Sequence, residues 1–373
     1  MKQNGRVKQA GRLKFSQRYP WSAPPNRLTE ALRASPGPTV DLSISNPTRV
    51  GLPVPESLWE NAASSEYRPT AQGDTLARAA IANYYAEEFG LAPKVEDIVL
   101  SASTSEAYSY CLKLLADPGE EVLVPSPSYP LLEHLVRAEG LVPVPYAIHA
   151  VLGDWILDRE HFASRVNSRT RAAVVVHPNN PTGHLCSEDD FEWMHRALPP
   201  NAAILADEVF LDYVWEGKAQ SFAGRERTFA LSGLSKICLL PQMKLGWIVL
   251  PPTPGVREAM EFVADTYLSV SAPIAAQTPQ WLARRMEFQA PLKRRCLKNR
   301  AHFPGLVAGW TGILSTLDTG DEEAALLRFL QDGYWAHPGH FYDLPFRESY
   351  VFSLLSPPEQ LSAGLAVLRS YGK

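Results

Sequence analysis

Short apolar segments alternate with amphipathic ones through the middle of the chain. Runs rich in Val, Ile and Leu occur at 97–103, 121–127, 142–148, 172–178, 202–208, 228–235 and 245–250. Runs of this length, bounded by Gly, Pro or Ser, are typical of strands buried on both faces of a sheet. Between several of them apolar residues recur at helical spacing, over 105–116, 129–139 and 187–197. This alternation predicts an α/β fold with a mostly parallel central sheet flanked by helices.

The two ends of the chain follow a different pattern. Residues 1–49 are rich in proline and predict extended chain with one short helix over 26–34. After Pro251 and Pro252 the pattern becomes helical and basic, and a short mixed segment closes the chain. We therefore predict a large domain over 50–252 and a smaller α+β domain built from 1–49 and 253–373.

Composition and charge narrow the classes of protein to which the chain can belong. With 45% hydrophobic and 20% charged residues over 373 positions, it has the composition of a globular protein and not of a disordered one. A net charge of −4 offers no general attraction to nucleic acid or to an anionic membrane, and no apolar run has the length of a membrane-spanning helix. The four cysteines stand far apart without metal-ligand spacing, so we predict reduced thiols, no bound metal and a cytoplasmic location.

Polar side chains follow several predicted strands at the points where the strands end. They are Ser103, Thr104 and Ser105 after the first strand, and then Tyr129, Asn180, Asp207 and Lys236. In open α/β sheets ligands bind beyond the carboxyl ends of the strands, so these side chains are predicted to share a site. Hydroxyls and free amides at a helix start favour an anion such as phosphate. Taken singly, each feature is also explained as a helix cap, a turn or an ion-pair partner.

Lys236 is the most informative of these residues. It precedes the apolar segment Ile-Cys-Leu-Leu-Pro, and a buried lysine is rare unless it is paired or functional. Desolvation lowers the pKa of an amine and makes it a nucleophile toward carbonyl groups. Pyridoxal phosphate would use all of the features together: an aldehyde for Lys236, a phosphate for the helix start, a ring to stack on Tyr129 and a pyridine nitrogen to pair with Asp207.

These residues belong to a longer series of motifs through which the chain resembles the class I/II aminotransferases, which are fold-type I pyridoxal-phosphate enzymes. The motifs come in family order and lie between about Asn46 and Trp247. They are Tyr67-Arg68-Pro69-Thr70, Ser103-Thr104-Ser105-Glu106-Ala107, Pro127-Ser128-Tyr129-Pro130, Asn179-Asn180-Pro181-Thr182-Gly183, Asp207-Glu208-Val209 and Ser232-Gly233-Leu234-Ser235-Lys236. Each motif alone is a weak signal, and all of them in order are a strong one.

The resemblance implies a role for each matching position. Lys236 would form the internal aldimine and move the proton between substrate and cofactor, while Asp207 would hold the pyridinium proton. Asn180 would bond to the phenolic oxygen of the ring, and Tyr129 would stack on its face. The phosphate contacts would be Ser103, Thr104, Ser105, Ser235 and Tyr67. Tyr67 reaches the phosphate of the neighbouring subunit in such enzymes, which implies a homodimer with shared sites.

Two positions of the cofactor site depart from the family pattern. Phe210 stands where the family has a tyrosine three residues after the aspartate, so the phenolic oxygen of the cofactor loses a hydrogen-bond donor. We therefore expect the cofactor-bound imine to titrate at a higher pH than in relatives with tyrosine. Lys244 replaces the phosphate-binding arginine, and a point charge makes a weaker and less directional anchor than a guanidinium.

The substrate side departs further from the family. There an arginine near the C-terminus binds the substrate carboxylate, and the matching stretch of this chain places Phe352 at that position. Either the match is shifted and Arg347 is the cation, or the pocket lacks this clamp. In the second case the substrate would be an unusual amino acid, an amine, or an acid held elsewhere, and aspartate and 2-oxoglutarate would be poor substrates. The other predicted substrate contacts are Arg27, Arg49, His177 and Asn46.

The resemblance thus predicts an aminotransferase that uses pyridoxal phosphate to move an amino group between an amino acid or amine and a 2-oxo acid. The same site could serve a lyase, a decarboxylase or a cyclase, because the cofactor stabilises the same carbanion and the pocket geometry decides which bond breaks. A non-catalytic cofactor-binding regulator is a remote alternative, because such proteins usually carry a helix-turn-helix ahead of the fold and residues 1–49 predict only one helix.

Overall fold

The computed structural model describes residues 24–53, 69–268, 270–315, 320–346 and 348–372 of the chain. Its strands are β1 (Val40–Asp41), β2 (Ile98–Ser101), β3 (Glu121–Ser126), β4 (Val142–Val151), β5 (Asp154–Leu157), β6 (Thr170–Val176), β7 (Ala203–Asp207), β8 (Thr228–Gly233), β9 (Gly246–Val249), β10 (Thr311–Ser315), β11 (Tyr334–Trp335), β12 (His337–Pro338) and β13 (Ser349–Ser353).

Its α-helices are α1 (Arg27–Ala34), α2 (Thr75–Phe89), α3 (Thr104–Leu115), α4 (Leu131–Ala138), α5 (Arg159–Arg165), α6 (Glu188–Ala197), α7 (Leu234–Ile237), α8 (Val256–Asp265), α9 (Ala272–Ala283), α10 (Arg285–Arg300), α11 (Glu322–Gln331) and α12 (Pro358–Arg369). Short 3-10 helices lie at Pro47–Arg49, Val95–Asp97, Leu211–Tyr213, Pro241–Met243, Gly339–Tyr342 and Ser370–Gly372. Within these described ranges, none of the helices combines the length and the apolarity that crossing a lipid bilayer requires.

An eight-stranded sheet forms the centre of the molecule, in the order β2-β9-β8-β7-β6-β3-β4-β5. The strands from β8 to β4 pair in parallel, and β9 and β5 are antiparallel to their neighbours. Because β9 is antiparallel to both β2 and β8, β2 points the same way as the parallel strands. The carboxyl ends of these strands therefore meet at one edge of the sheet. The predicted α/β class with a mostly parallel central sheet is confirmed.

Both faces of this sheet are buried, which explains the continuous apolar runs. Successive side chains alternate between the faces, so Val174 and Leu205 pack in one apolar cluster while Val175 and Ile204 pack in another. Helices α3, α4 and α8 contribute to the first cluster, and α5 and α6 contribute to the second. A strand covered on both sides has no solvent-facing positions, so its sequence lacks the polar alternation of a half-exposed strand.

The N-terminal segment and the C-terminal part of the chain are joined by strand pairing. β1 pairs in parallel with β11, and β13 lies between β10 and β12 in an antiparallel sheet. Asn26 caps α1 by accepting a hydrogen bond from the N–H of Thr29 at 2.7 Å, so the short helix begins where the sequence predicts it. The domain boundaries near residues 49 and 252 stay a prediction.

Candidate active site

A cavity of about 200 Å³ lies at the edge of the central sheet where the parallel strands end. One wall comes from these strands and the loops after them, and we call it the strand-end wall: Thr104, Ser105, Tyr129, Val176, Asn180, Asp207, Val209, Phe210 and Lys236. The opposite wall, which we call the C-terminal wall, consists of Trp310, Thr311, His337, Tyr342, Val351, Phe352 and Ser353. Ser43 and Ser45 of the N-terminal segment complete the lining.

The start of α3 offers an anion-binding feature to this cavity. The Ser103 hydroxyl accepts from the N–H of Glu106 at 3.2 Å, and the Glu106 carboxylate accepts from the N–H of Ala102 at 2.5 Å, one residue before the N-cap Ser103. This arrangement is close to a capping box. The hydroxyls of Thr104 and Ser105 line the cavity at the first turn of this 12-residue helix. The helix dipole and the first-turn amides favour a negative charge at this end.

A glycine lets the start of α3 approach the sheet closely. A Cβ atom added to Gly246, the first residue of β9, would lie 2.9 Å from the carbonyl carbon of Ser103 and 2.9 Å from the nitrogen of Thr104. Any side chain at this position would push the turn away from the sheet. The placement of the Thr104 donors therefore depends on a residue without a side chain.

Asp207 ends β7, and its carboxylate is buried against the cavity. Oδ2 accepts from the hydroxyl of Tyr108 at 2.9 Å, and Oδ1 accepts from the N–H of Val209 at 3.3 Å. Burial raises the pKa of this carboxyl from 3.8 to about 6, while the two hydrogen bonds and the charge of Lys236 oppose the rise. The group can therefore hold or release a proton near neutral pH.

Tyr108 is a member of the site that the sequence analysis did not identify. It lies on α3 four residues after Thr104, so one face of the helix carries both the anion-directed turn and the hydroxyl that contacts Asp207. The helical spacing from Thr104 is the signal that could have found it.

Lys236 lies in α7, directly after β8, and β8 pairs with β7. Burial lowers the pKa of its amine from 10.5 to about 8, and the charge of Asp207 acts in the opposite direction. The amine nitrogen lies 4.8 Å from the ring centroid of Trp310 and 5.3 Å from that of Phe210. An amine of lowered pKa beside aromatic rings is available as a base or a nucleophile.

Asn180 follows β6, and a residue of the C-terminal wall contacts its amide. The Thr311 hydroxyl lies 3.3 Å from Oδ1 of Asn180 and 3.0 Å from the carbonyl oxygen of Pro181, so it shares its hydrogen between them. With Oδ1 facing this donor, the amide nitrogen of Asn180 is the group left to donate into the cavity. Thr311 was not identified from the sequence.

Three predicted phosphate contacts lie outside the cavity lining. The Ser103 hydroxyl caps α3 by accepting from the N–H of Glu106, which does not use the hydrogen of the hydroxyl, so its contact with a phosphate stays a prediction. Ser235 is partly buried beside Lys236, and Lys244 is exposed in a left-handed backbone conformation. Among the described residues, the phosphate-directed hydroxyls in the lining are those of Thr104 and Ser105.

The predicted substrate contacts of the N-terminal segment do not reach the cavity. Arg27 and Arg49 are exposed and do not line it. The side-chain oxygen of Asn46 accepts from the N–H of Thr48 at 3.0 Å and from its hydroxyl at 2.7 Å, because it caps the following 3-10 turn. These three side chains therefore lie outside the cavity lining of their own subunit, and their contacts with a substrate stay predictions.

Both ring nitrogens of His177 are hydrogen-bonded to the backbone. Its Nδ1 accepts from the N–H of Cys186 at 3.0 Å, and its Nε2 bonds to the carbonyl oxygen of Gln220 at 2.9 Å. Both ring nitrogens are therefore bonded within the fold and His177 does not line the cavity, while its role in holding the substrate acid stays a prediction. In the described part of the chain, no three side chains of His, Cys, Asp or Glu come together as a metal site.

Phe210 and Phe352 both line the cavity. Phe352 is fully buried on β13, and its ring centroid lies 6.1 Å from that of Phe303, so this side chain is part of the apolar packing. That it stands where the family has an arginine stays a prediction. Tyr67 and Arg347 lie outside the described residues, and their predicted roles stay predictions.

The chain is similar to known proteins both in sequence and in fold. The family model "Aminotransferase class I and II" matches residues 40–313. A curated relative, the glutamate-pyruvate aminotransferase of Haemophilus influenzae, is 29% identical over 246 residues, which cover 62% of this chain and 61% of the relative. The chain thus spans about three fifths of the length of that relative.

Solved structures share the fold at lower sequence identity. An aminotransferase from Escherichia coli superposes with a TM-score of 0.78 at 22% identity, covering 93% of this chain and 95% of that one. The alanine aminotransferase from Pyrococcus furiosus gives a TM-score of 0.78 at 22% identity, covering 92% and 94%. The fold is therefore that of the fold-type I aminotransferases, and the family match covers most of the chain. The protein belongs to the class I and II aminotransferase family.

Proposed function

We propose that the protein is a pyridoxal-phosphate-dependent aminotransferase, which moves an amino group between an amino acid or amine and a 2-oxo acid. The observation that carries this proposal is the presence of a buried carboxylate and a partly buried amine in one cavity. The carboxylate of Asp207 ends β7, the amine of Lys236 follows β8 in α7, and both residues line the cavity. Pairing between β7 and β8 places the two backbone segments side by side.

The residues around the cavity fit the proposed cofactor. Thr104 and Ser105 offer hydroxyls and helix amides to a phosphate, on a turn held so close to Gly246 that a side chain there would displace it. Tyr129 offers an aromatic face, and Asp207 offers a buried carboxylate to a ring nitrogen. Lys236 offers the amine that an aldehyde needs. A phosphate, an aromatic ring and an aldehyde thus each find a suitable group.

When bound, pyridoxal phosphate supplies an aldehyde that condenses with amines and a ring that withdraws electrons from bonds at the substrate carbon. Lys236 supplies proton transfer, because a pKa of about 8 leaves part of its amine neutral near neutral pH and able to accept a proton at Nζ. Asp207 supplies a negative charge against the ring nitrogen and holds a proton there. Tyr108 keeps this carboxylate in place through a hydrogen bond of 2.9 Å.

Apolar side chains shield the proton transfer from water. Val176 and Val209 line the cavity beside Asp207, and the rings of Phe210 and Trp310 flank the Lys236 amine. In such surroundings a charge on either group is poorly solvated, which is why the two pKa values move toward each other. The wall thus provides both the groups and the low-dielectric environment that make them active near neutral pH.

One experiment tests the cofactor and its attachment. The protein is loaded with pyridoxal phosphate, reduced with borohydride, and digested for peptide mapping. We expect the cofactor on Lys236, and the Lys236→Ala variant should lose the label while keeping its circular dichroism spectrum. Labelling of another lysine, or of none, would contradict the proposal.

A second experiment separates amino transfer from the rival outcomes on the same site. Adding an amino donor such as alanine to the loaded protein should convert the cofactor to its amine form, which absorbs at shorter wavelength. A lyase or decarboxylase would turn over its substrate and leave the cofactor in its starting form. The names of the relatives support transfer, since the curated relative is named as a glutamate-pyruvate aminotransferase.

We further propose a homodimer with shared active sites and a cytoplasmic location, both carried over from the family resemblance. Mixing two inactive variants tests the shared site. Lys236→Ala and Tyr67→Phe subunits, combined after mild dissociation, should regain part of the activity, because one site of each mixed dimer would have both residues. Absence of any recovery, with light scattering that shows a monomer, would count against this arrangement.

A further inference from the structure

The C-terminal wall contains one histidine, His337 on β12. The other described residues of this wall are Trp310, Thr311, Tyr342, Val351, Phe352 and Ser353, so it presents hydroxyls and apolar surface and, in its described part, neither arginine nor lysine. Where the family has an arginine for the substrate carboxylate, the fully buried Phe352 lies. An acid that enters this cavity therefore meets hydroxyls and one imidazole on the described part of this wall.

Tyr342 determines which nitrogen of His337 can donate. The Tyr342 hydroxyl lies 2.9 Å from Nδ1 of His337. If Nδ1 carried the hydrogen, the buried Tyr342 hydroxyl would be left without an acceptor among its described neighbours, which is costly. If the hydroxyl donates to Nδ1, both groups are satisfied. The imidazole then carries its hydrogen on Nε2, and His337, which lines the cavity, has an N–H to donate.

The segment that carries both residues is held rigidly. The buried carboxylate of Glu322 accepts from the N–H of Gly339 at 2.9 Å and from the N–H of Ser349 at 3.0 Å. The carbonyl oxygen of Tyr342 accepts from the N–H of Ser128 at 3.1 Å, which ties the segment to the loop that carries Tyr129. A donor on this segment is therefore positioned before a ligand arrives, and pre-organisation favours binding.

The surroundings keep His337 uncharged. Burial lowers the pKa of its imidazole from 6.5 to about 4, against an opposing effect of the Asp41 carboxylate. At neutral pH the side chain is a neutral hydrogen-bond donor. A neutral donor binds a carboxylate less strongly than a guanidinium does, and it distinguishes less sharply between an acid and its amide.

We propose that the Nε2–H of His337 binds the carboxylate, or the carbonyl oxygen, of the substrate, and that Tyr342 is the positioning residue that sets its tautomer. This rests on the proposed function, since it assigns the acid-binding group of the same site. The substrate class that follows is a small monocarboxylic amino acid or its neutral carboxamide. A second carboxylate on the substrate has no cationic partner on the described part of this wall.

The test measures binding without chemistry at Lys236. The probes are butyrate and butyramide, which lack an amino group, titrated into the cofactor-loaded protein by ligand-observed NMR. For the wild type we expect the two dissociation constants to agree within about tenfold, because a neutral donor serves both. His337→Leu should raise the butyrate constant about tenfold or more, because the hydrogen bond to a charged group is lost. His337→Gln retains an N–H donor and should stay within about threefold.

Two further variants separate binding from packing. Phe262→Leu changes an exposed side chain of α8 outside the cavity lining and should leave the butyrate constant unchanged. Tyr342→Phe should weaken butyrate binding in the wild type and have no further effect in His337→Leu, because the hydroxyl acts only through the imidazole. A purely structural role of Tyr342 would instead give the same effect in both backgrounds.

The outcomes distinguish the two proposals. If butyrate binds His337→Leu as tightly as it binds the wild type, this inference is overturned. The same holds if butyrate binds the wild type more than about 100-fold tighter than butyramide, because that preference requires a full cation. If borohydride fails to attach the cofactor to Lys236, the proposed function fails, whatever the butyrate series shows.

Discussion

The two walls of the cavity are made in different ways, although burial acts on both. The strand-end wall takes its side chains from consecutive strands of one parallel sheet, and it holds a carboxylate and an amine, Asp207 and Lys236. The C-terminal wall takes its side chains from a small antiparallel sheet and the segment after β12, and it holds aromatic, aliphatic and neutral polar groups.

Burial has opposite functional consequences on the two walls. It raises the pKa of Asp207 to about 6 and lowers that of Lys236 to about 8, so both groups titrate near neutral pH and can exchange protons. It lowers the pKa of His337 to about 4, which leaves a neutral donor and no acid–base group at that pH. The groups that can transfer protons therefore lie on the strand-end wall, while the side chains of the C-terminal wall determine which substrates bind.

Removing the Lys236 amine should have the largest effect on the rate of amino transfer, and it tests whether the chemistry belongs to the strand-end wall. Lys236→Ala should lower the rate of amino transfer by at least about 10⁴-fold, because the nucleophile and the base are removed together. Single-turnover absorbance with alanine as donor measures the rate. Lys298→Ala, which removes an exposed amine paired with Glu359, is the matched control and should keep the wild-type rate. A reduction below about 100-fold would place the chemistry elsewhere.

The second prediction concerns the cost of burying the Asp207 carboxylate. Because its pKa is higher in the folded protein, at about 6, than in the unfolded chain, at 3.8, the unfolded chain loses its proton first as the pH rises. This contribution to stability is therefore present below about pH 4 and is lost between pH 4 and 6. The free energy of unfolding of cofactor-free Asp207→Asn should gain up to about 3 kcal/mol on the wild type over that window.

Urea denaturation of the cofactor-free proteins at pH 4.5, 5.5 and 7 measures this difference. Asp154→Asn removes a carboxylate at an exposed position of β5 and is the matched control, for which we expect no change in the difference with pH. A constant difference between Asp207→Asn and the wild type over these pH values would show that the carboxylate is not desolvated as the structure indicates.

The third prediction concerns which amino donors the cavity accepts. Alanine should exceed aspartate as amino donor by about 30-fold or more in kcat/KM, because the described C-terminal wall offers no cation to a second carboxylate and leaving a charge unpaired in a buried site is costly. Steady-state rates with pyruvate or 2-oxoglutarate as acceptor measure the ratio. Equal efficiency with aspartate and 2-oxoglutarate would show that a cation such as Arg347 reaches the site.

The smallest effect concerns Phe210, the position where the family has a tyrosine. Phe210→Tyr should lower the midpoint of the visible-absorbance titration of the cofactor-loaded protein by about one pH unit, because the new hydroxyl would donate to the phenolic oxygen and stabilise its anion. Phe341→Tyr adds a hydroxyl outside the cavity lining and should leave the midpoint in place. An unchanged midpoint in Phe210→Tyr would mean that residue 210 does not contact the cofactor.

Much of the fold and of the strand-end wall could be predicted because their signals are local. The run at 202–208 indicates a doubly buried strand, and the carboxyl end of such a strand in a parallel sheet is where Asp207 must lie. Ser103 is predicted as a phosphate contact, and what the structure shows is its hydroxyl capping α3, as the pattern Ser-x-x-Glu favours. A local motif therefore predicts the turn more securely than the atom that touches the ligand.

The sequence by itself determined the alternation of strands and helices, because periodicity and capping act between residues close in the chain. It also determined which polar side chain follows each strand. Only the tertiary structure decided that Tyr108 bonds to Asp207, 99 residues away, and that Thr311 reaches Asn180 across 131 residues. It also decided that His337, and neither Arg27 nor Arg49, lines the cavity. Contacts of this kind depend on strand register and on the packing of distant segments, which no local pattern encodes.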